Sequence, residues 1–184
     1  MKKILMMVVV AMMATVSVNA QQMFLKPMVG ANLASFVGDV NDQKMKVGIL
    51  AGAEFGYNIS EQFGVTAGLL YAIQGSKTDG AKYNNNLDYL NIPILANYYI
   101  IPGLAIKAGP QFGILTRAKY DDIDIKENFK SLDISIPVGL SYEISDFVID
   151  ARYNIGITNI AKDSGDDKVR NNVIQLTLGY KIPF

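Results

Sequence analysis

Hydrophobic and polar residues alternate along most of the chain, and the pattern is clearest at its end. In LTLGYKIPF, residues 176–184, bulky apolar side chains stand at every second position and include Tyr180, Ile182 and Phe184. Successive side chains of a β-strand point to opposite faces, so this segment predicts a strand with one apolar and one polar face. The segment alone does not say whether the apolar face meets a protein core or lipid.

The same alternation predicts eight strands. They lie near residues 26–36, 46–57, 63–75, 88–101, 104–117, 132–144, 147–158 and 172–184. Their lengths are 11 to 14 residues, whereas strands of soluble proteins most often have about 5–6 residues and a bilayer is crossed by about 9–11 tilted residues. Strand length therefore favours a membrane-spanning barrel.

Short connections alternate with long polar ones. NISEQ joins strands two and three, Pro102 and Gly103 join strands four and five, and Ser145 and Asp146 join strands six and seven. The long connections are VGDVNDQKM, GSKTDGAKYNNN, AKYDDIDIKENFK and NIAKDSGDDKVRN. This arrangement is typical of bacterial outer-membrane barrels. The predicted fold is all-β: an eight-stranded antiparallel transmembrane β-barrel with short periplasmic turns and long extracellular loops.

The polarity of the strand faces indicates which face meets lipid. In strand two, Val47, Ile49 and Phe55 stand on one face, and Gly48 and Glu54 on the other. Small and polar residues suit the narrow interior of an eight-stranded barrel, so the apolar face is predicted to point outward. A soluble barrel with an apolar interior would need the opposite polarity. Aromatic residues near the turn-side strand ends predict an interfacial belt: Phe55, Tyr57, Phe63, Tyr98, Tyr142, Phe147, Tyr180 and Phe184.

The first residues predict export. MKKILMMVVVAMMATVSVNA has two lysines, an apolar run and short residues before Ala20, which is the pattern of a secretory signal peptide. Residues 1–20 are therefore predicted to be removed between Ala20 and Gln21, leaving 21–184 as the barrel domain. A membrane anchor helix is the alternative, but the apolar run is shorter than the roughly 20 residues that such a helix needs.

Composition narrows the function classes. Lys+Arg and Asp+Glu number 17 each, so no net charge suggests a nucleic-acid partner. Histidine and cysteine are absent from the sequence, which removes histidine-based acid–base chemistry and the usual zinc ligands. We therefore expect neither an enzyme nor a metal or cofactor site.

Several stretches resemble one family. YLNIPILANYYI (89–100), AGPQFGIL (108–115), ARYNIGITNI (151–160) and QLTLGY (175–180) resemble the PorT-like outer-membrane β-barrel family of the Bacteroidetes. The resemblance implies a small OmpA/OmpX-like barrel of eight strands. Relatives often carry a charged pair beside the Ile-Pro motif of strand four, where this chain has Asn91 and Asn97.

The C-terminal strand also resembles the signal that the outer-membrane assembly machinery recognises on its substrates. Tyr180, Ile182 and Phe184 would carry that role in addition to facing lipid. The alternative, that they only face lipid, is compatible with it.

Charged residues are predicted inside the barrel. By the alternation, four acids and four bases face inward: Glu54, Asp133, Glu143, Asp150, Lys107, Arg117, Arg152 and Lys181. Counted from the turns, Glu54, Lys107 and Asp150 stand at one level above the periplasmic rim, with Arg152 just above them. These four residues predict a network across the lumen. It is either a charge-paired plug that fixes the register of the barrel or a proton or ion path.

Two further features stay open. Pro93 and Pro137 fall in mid-strand on the inward face, where a ladder hydrogen bond is lost, and this predicts β-bulges. Acidic residues cluster in two long loops: Asp121, Asp122, Asp124 and Glu127, then Asp163, Asp166 and Asp167. Their spacing does not match an EF-hand and lysines intervene, so solvated loop charge is expected rather than a calcium site.

These patterns predict a non-enzymatic outer-membrane protein with a structural or interaction role. Its expected partners are outer-membrane lipid and, during biogenesis, the assembly machinery. An accessory subunit of an envelope secretion or assembly machine is one hypothesis. A narrow pore for small solutes and a secreted soluble barrel that binds an apolar ligand are the alternatives.

Overall fold

The computed structural model describes residues 23–39, 43–78, 84–120, 123–162 and 168–184. The predicted signal peptide lies outside these residues. Among the described residues, the helical structure is one 3₁₀ turn, Lys126–Asn128, and no helix is long and apolar enough to span a membrane. The strands are β1 Met23–Gly38, β2 Gln43–Asn58, β3 Phe63–Thr78, β4 Asn84–Ile101, β5 Leu104–Ala108, β6 Gln111–Tyr120, β7 Ile123–Asp124, β8 Leu132–Ile144, β9 Phe147–Gly156, β10 Val169–Tyr180 and β11 Ile182–Pro183.

The strands close into an antiparallel ring. Neighbours in the chain pair from β1 to β4, β5 and β6 together pair with β4 and β8, and β9 and β10 lead back to β1. The short strand β11 prolongs β10 along β1, and β7 folds back on β6 in the third long loop. With β5 and β6 counted as one wall, the described ring has eight walls, which confirms the predicted fold.

Six of the eight walls are longer than predicted on the side of the long loops, whereas β8 begins as predicted and β9 ends two residues early, at Gly156. Each of β1, β2 and β3 has 16 residues and β4 has 18. On the other side the turns are short, and two of them place a residue in the left-handed region, with φ of 85° at Gly103 and 54° at Ser145. The short turns are periplasmic and the long walls continue toward the cell exterior, as in outer-membrane barrels.

The predicted fifth strand is interrupted at Gly109 and Pro110. On β4, Pro93 lies opposite Gln111 of β6 and Ala96 lies opposite Ala108 of β5, so β4 keeps one register across the interruption. β8 also keeps one register with β5 and β6. Pro93 and Pro137 therefore flank this interruption and point inward, as predicted. The bulges expected at them do not form, because the pairing of the described strands keeps its register past both prolines. Prolines on all three walls remove N–H donors, which explains a break in the hydrogen-bond ladder without a bulge.

The outer surface is apolar, as predicted. Val29, Ile49 and Phe147 have exposed fractions of 61%, 66% and 52%. Two aromatic pairs lie near the periplasmic turns: the ring centroids of Phe63 and Tyr98 are 5.0 Å apart, and those of Phe147 and Tyr180 are 5.3 Å apart. A wall this apolar needs lipid around it, because such a continuous apolar surface is rare on soluble proteins.

The filled lumen as candidate functional site

The structure brings together the four charged side chains that the alternation places at one level. Lys107 Nζ lies 2.7 Å from Asp150 Oδ2 and 3.3 Å from Glu54 Oε2. Arg152 Nη2 donates to Asp150 Oδ2 at 2.7 Å and lies 2.5 Å from Glu54 Oε1. These side chains come from β2, β5 and β9, so the contacts cross the lumen rather than follow one strand.

Lys26 on β1 is a fifth member that the sequence analysis missed. Its Nζ lies 2.8 Å from Glu54 Oε2 and 3.6 Å from Asp150 Oδ2, and its side chain is 3% exposed. The alternation itself places Lys26 on the inward face, because its position differs by an even number from those of Met28 and Asn32, which are buried inside the barrel. We call Lys26, Glu54, Lys107, Asp150 and Arg152 the charge cluster.

Small residues on facing walls make room for the charge cluster. A Cβ placed on Gly68 would lie 2.8 Å from Cγ of Glu54, and one on Gly179 would lie 2.8 Å from Cγ of Lys26. Such approaches leave no space for a larger residue without movement of the charged side chain. The glycines of the inward faces therefore permit long charged side chains in a narrow barrel.

The charge cluster is nearly dry and carries excess positive charge. The five side chains are 0–3% exposed. Three cations against two carboxylates leave a net charge of +1. Each of the four carboxylate oxygens of Glu54 and Asp150 lies within 2.8 Å of a cationic nitrogen. Arg152 Nη1 has no hydrogen-bond partner among the described residues. Charges this well paired and this buried close the lumen at their level.

A layer of amides and hydroxyls lies above the charge cluster. Asn171 Nδ2 donates to Gln74 Oε1 at 2.7 Å, and Gln111 Nε2 donates to Ser135 Oγ at 3.3 Å. The space that the layer and Asp133 enclose has no room for a water-sized molecule. Several polar atoms of the layer have no partner within the described chain, including both amide atoms of Asn154. The side chains of the layer therefore fill the lumen at this level.

An apolar plug fills the extracellular end of the lumen. It is a cluster of buried side chains, Phe36, Leu87, Tyr89, Leu115, Ala118 and Ile160, with Ile125, Phe129 and Val169 packed against it. The rings of Phe36 and Phe129 lie 6.0 Å apart. Because Phe129 and Ile160 belong to the third and fourth long loops, the plug includes residues that fold in from outside the walls.

The third and fourth long loops are joined across the mouth. Lys130 N donates to Ile160 O at 2.8 Å, and Lys162 N donates to Asn128 O at 2.9 Å. Phe129 and Ala161 form an isolated antiparallel bridge between these contacts. We call residues 123–131 and 157–162 the lid, because these segments cover the apolar plug.

The periplasmic mouth has a smaller closure. The Lys181 Nζ lies 4.6 Å from the ring centroid of Phe24 and 2.8 Å from Glu143 Oε2. Tyr99 Oη donates to Glu143 Oε1 at 3.2 Å. Phe24 is 5% exposed, so its ring fills the lumen below the charge cluster. An open pocket of about 850 Å³ lies at the turns and is lined by Glu143 and Lys181 among others.

The remaining predicted charges divide between three environments. Asp133 points into the lumen and accepts a hydrogen bond from Thr158 Oγ1 at 2.8 Å, whereas Glu143 and Lys181 stand at the periplasmic mouth with 19% of each side chain exposed. Arg117 does not face inward. A register shift between β4 and β6, at Asp88 and Tyr89, turns it to the outer surface, where 57% of its side chain is exposed.

The loop acids form no metal site in the part of the chain that the structure describes. Asp124 Oδ1 instead accepts a hydrogen bond from Lys126 N at 2.9 Å. The predicted members Asp121, Asp122, Asp163, Asp166 and Asp167 lie outside the described residues.

Comparisons with known proteins agree with the fold. The structure of Ail, the attachment invasion locus protein of Yersinia pestis, in complex with the heparin analogue sucrose octasulfate, has a TM-score of 0.55 and 16% identity, and the match covers 88% of this chain and 99% of that one. Neisserial surface protein A has a TM-score of 0.56 and 16% identity, with 88% and 97% covered. At this identity the likeness concerns the fold alone.

Comparison with curated protein sequences gives no match. The family model described as outer membrane protein beta-barrel domain matches residues 6–181. An outer-membrane location follows from this match and from the apolar outer wall. The chain therefore belongs to the family of outer membrane protein β-barrel domains.

Proposed function

We propose that this protein is a non-enzymatic, non-conducting barrel that acts through its outer surfaces, as an accessory subunit of an envelope secretion or assembly machine. The observation that carries the proposal is the filled lumen. Between Phe24 and the lid, the lumen holds paired charges, hydrogen-bonding amides and an apolar plug. With the interior occupied, the lid, the lipid-facing wall and the periplasmic turns are the surfaces left for contact with other molecules.

The charge cluster has a structural role in this proposal. Its five side chains come from β1, β2, β5 and β9, and each carboxylate contacts cations from three strands. A shift of one residue in any of these strands would turn its charged side chain toward lipid. The cluster is therefore a plug that fixes the register of the barrel.

A narrow pore is less well supported. An ion entering from the periplasm would have to displace Phe24 and then pass side chains that are 0–3% exposed. It would next meet the apolar plug, where the Tyr89 hydroxyl is the single polar side-chain group of the buried cluster and a partly dehydrated ion would be poorly solvated. A soluble carrier of apolar ligands is also disfavoured, because the apolar residues line the outside of the barrel rather than its interior.

The proposal also includes two further points: that the chain is a PorT-like barrel, and that residues 1–20 direct its export. The four family-like stretches contribute inward residues of the lumen, among them Asn91, Gln111, Arg152 and Thr177, which is what shared lumen architecture would require. Cleavage of residues 1–20 would deliver the chain to the periplasm. The assembly machinery would then read the outward side chains of Tyr180, Ile182 and Phe184, which are 39–56% exposed.

The experiment is affinity purification of the tagged protein from native outer membranes in mild detergent, followed by quantitative mass spectrometry. The matched control is a variant with Lys126, Lys130 and Lys162 of the lid changed to serine, which alters the outer surface and leaves the lumen intact. The proposal predicts secretion or assembly proteins at near-equal amounts with the wild type. A barrel that purifies without stoichiometric partners would contradict the accessory role.

A further inference from the structure

A polar cluster interrupts the apolar outer wall. Asp88 lies on the outward face of β4, between Leu87 and Tyr89, which point into the lumen. The register shift between β4 and β6 turns Arg117 to the same face, and the Asp88 side chain is 5% exposed beneath its neighbours. Tyr71 Oη donates to Asp88 Oδ2 at 2.8 Å, and Arg117 Nη1 lies 3.8 Å from the same oxygen. Ionisable residues on a lipid-facing surface are costly, so this group needs an explanation.

The depth of the cluster explains how it is tolerated. Below Asp88, the outward residues of β4 are apolar from Leu90 to Ile100. At a rise of about 3.4 Å per residue and a tilt of about 40°, this stretch spans about 25 Å, the height of the apolar band of such barrels. Asp88 and Arg117 therefore lie at the upper edge of the band, at the level of the lipid headgroups of the outer leaflet.

An apolar trough begins directly below this cluster. Val29, Ala51 and Tyr71 are cross-strand neighbours on β1, β2 and β3. Because alanine is much smaller than its neighbours, the wall is recessed at Ala51, and the recess is an apolar pocket of about 480 Å³ flanked by Ile49 and Ile73. The trough lies within the apolar band, at the depth of acyl chains.

The trough and the polar cluster are continuous. Ile73, Asp88 and Arg117 form the next row of cross-strand neighbours, two residues or about 7 Å above the row that contains Tyr71. Tyr71 belongs to both features, since its ring lines the trough and its hydroxyl binds Asp88. A molecule lying in the trough would thus bring its polar end to Arg117.

A positive charge at the upper end suits an anion. Arg117 Nη1 lies 3.8 Å from Asp88 Oδ2, and 57% of the Arg117 side chain is exposed. The guanidinium has five N–H donors, so it can bind an anion on its exposed side as well as Asp88. Phosphate is one of the two anions, with carboxylate, that an arginine fork binds through two parallel hydrogen bonds, and it is the one that membrane lipids carry.

We propose that the wall formed by β1–β4 and β6 holds one phosphate-bearing lipid of the outer leaflet, with an acyl chain in the trough at Ala51 and the phosphate on Arg117. Asp88 and Tyr71 are positioning residues that hold the guanidinium at the mouth of the trough. The site is independent of the proposed accessory role, because it concerns lipid and not a protein partner.

The test is native mass spectrometry of the purified full barrel in dodecyl maltoside. The probe is dipalmitoyl phosphatidic acid, and the two comparison molecules are dipalmitoyl glycerol, which lacks the phosphate, and inorganic phosphate, which lacks the chains. The wild type is expected to retain one phosphatidic acid per barrel in preference to both. Arg117→Gln is expected to weaken retention about tenfold, the loss typical of a charge-assisted hydrogen bond.

A second variant tests the trough separately. Ala51→Leu fills the recess and is expected to reduce retention of phosphatidic acid while Arg117 is unchanged. The matched controls are Arg170→Gln, an exposed arginine on β10, and Ala96→Leu, an outward alanine on β4 outside the trough; both should bind as the wild type does. Heat-dependent gel mobility verifies that every variant is folded.

Four binding results would overturn the proposal. They are equal retention of dipalmitoyl glycerol, binding of inorganic phosphate as tight as that of the lipid, equal losses in the Arg117 and Arg170 variants, and unchanged binding by Ala51→Leu. Formation of a dimer that Ala51→Leu abolishes would also overturn it, because the trough would then be an interface between two barrels.

Discussion

Removal of the Glu54 charge is the perturbation that should damage the barrel most. Glu54 is fully buried and lies 2.8 Å from Lys26, 3.3 Å from Lys107 and 2.5 Å from Arg152. Glu54→Gln keeps the size of the side chain and raises the net charge of the cluster from +1 to +2. Three buried cations would then share the single carboxylate of Asp150.

The expected loss of stability follows from that imbalance. Removing one partner of a buried ion pair typically costs about 3–5 kcal/mol, because the remaining charge is left without compensation. Lys26→Met removes a cation instead and leaves two cations facing two carboxylates, so its loss should be clearly smaller. Which of the two variants loses more stability therefore depends on the sign of the net charge of the cluster, and not on the number of contacts removed.

The assay is urea unfolding of the refolded barrel in detergent micelles, followed by far-ultraviolet circular dichroism because the chain has no tryptophan. Lys181→Met is the control: its ion pair with Glu143 stands at the mouth, where such pairs contribute about 0–1 kcal/mol. Raising the salt concentration should leave the effect of Glu54→Gln unchanged, since buried charges are poorly screened. Equal unfolding free energies for wild type and Glu54→Gln, or a larger loss in Lys26→Met, would refute the reasoning.

Three further predictions address the lid, assembly and export. Phe129→Ala should loosen the lid, because it removes an aromatic contact with Phe36 and opens a cavity in the apolar plug. The expected result is faster hydrogen exchange in residues 157–162. Unchanged exchange in these residues would contradict the packing of the lid on the plug. Phe184→Ala should slow insertion by purified assembly machinery in proteoliposomes while leaving spontaneous folding in detergent unchanged, and equal insertion rates would remove Phe184 from the signal. The intact mass of the mature protein should correspond to a chain that begins at Gln21, and a mass that includes residues 1–20 would contradict cleavage.

Alternation was sufficient to predict most of the barrel. Side-chain parity follows strictly from strand geometry, so Glu54, Lys107, Asp150 and Arg152 could be placed on the inner face without any knowledge of the fold. Their common height followed from counting along the strands from short turns. Lys26 obeys the same parity, and it was missed because it stands at the first predicted residue of its strand.

The features that the sequence did not predict depend on irregular backbone and on contacts between distant segments. Arg117 was placed on the wrong face because one extra residue in a strand reverses parity beyond it, and a single sequence carries no mark of that position. The break at Gly109 and Pro110 depends on prolines of two neighbouring walls, which become adjacent only in the closed ring. The lid likewise depends on contacts between Asn128 and Lys162, which belong to different loops, and polar loop composition does not predict such pairs.

The central claim is that the lumen is closed, and single-channel recording of the purified barrel in a planar lipid bilayer tests it most directly. Wild-type protein, shown to be folded and inserted, should give no conductance steps in 1 M KCl at either polarity, because the charge cluster and the apolar plug obstruct the lumen in series. Reproducible steps of uniform size, altered by Arg152→Gln and unaffected by Lys181→Met, would show that ions pass the charge cluster and would contradict the account.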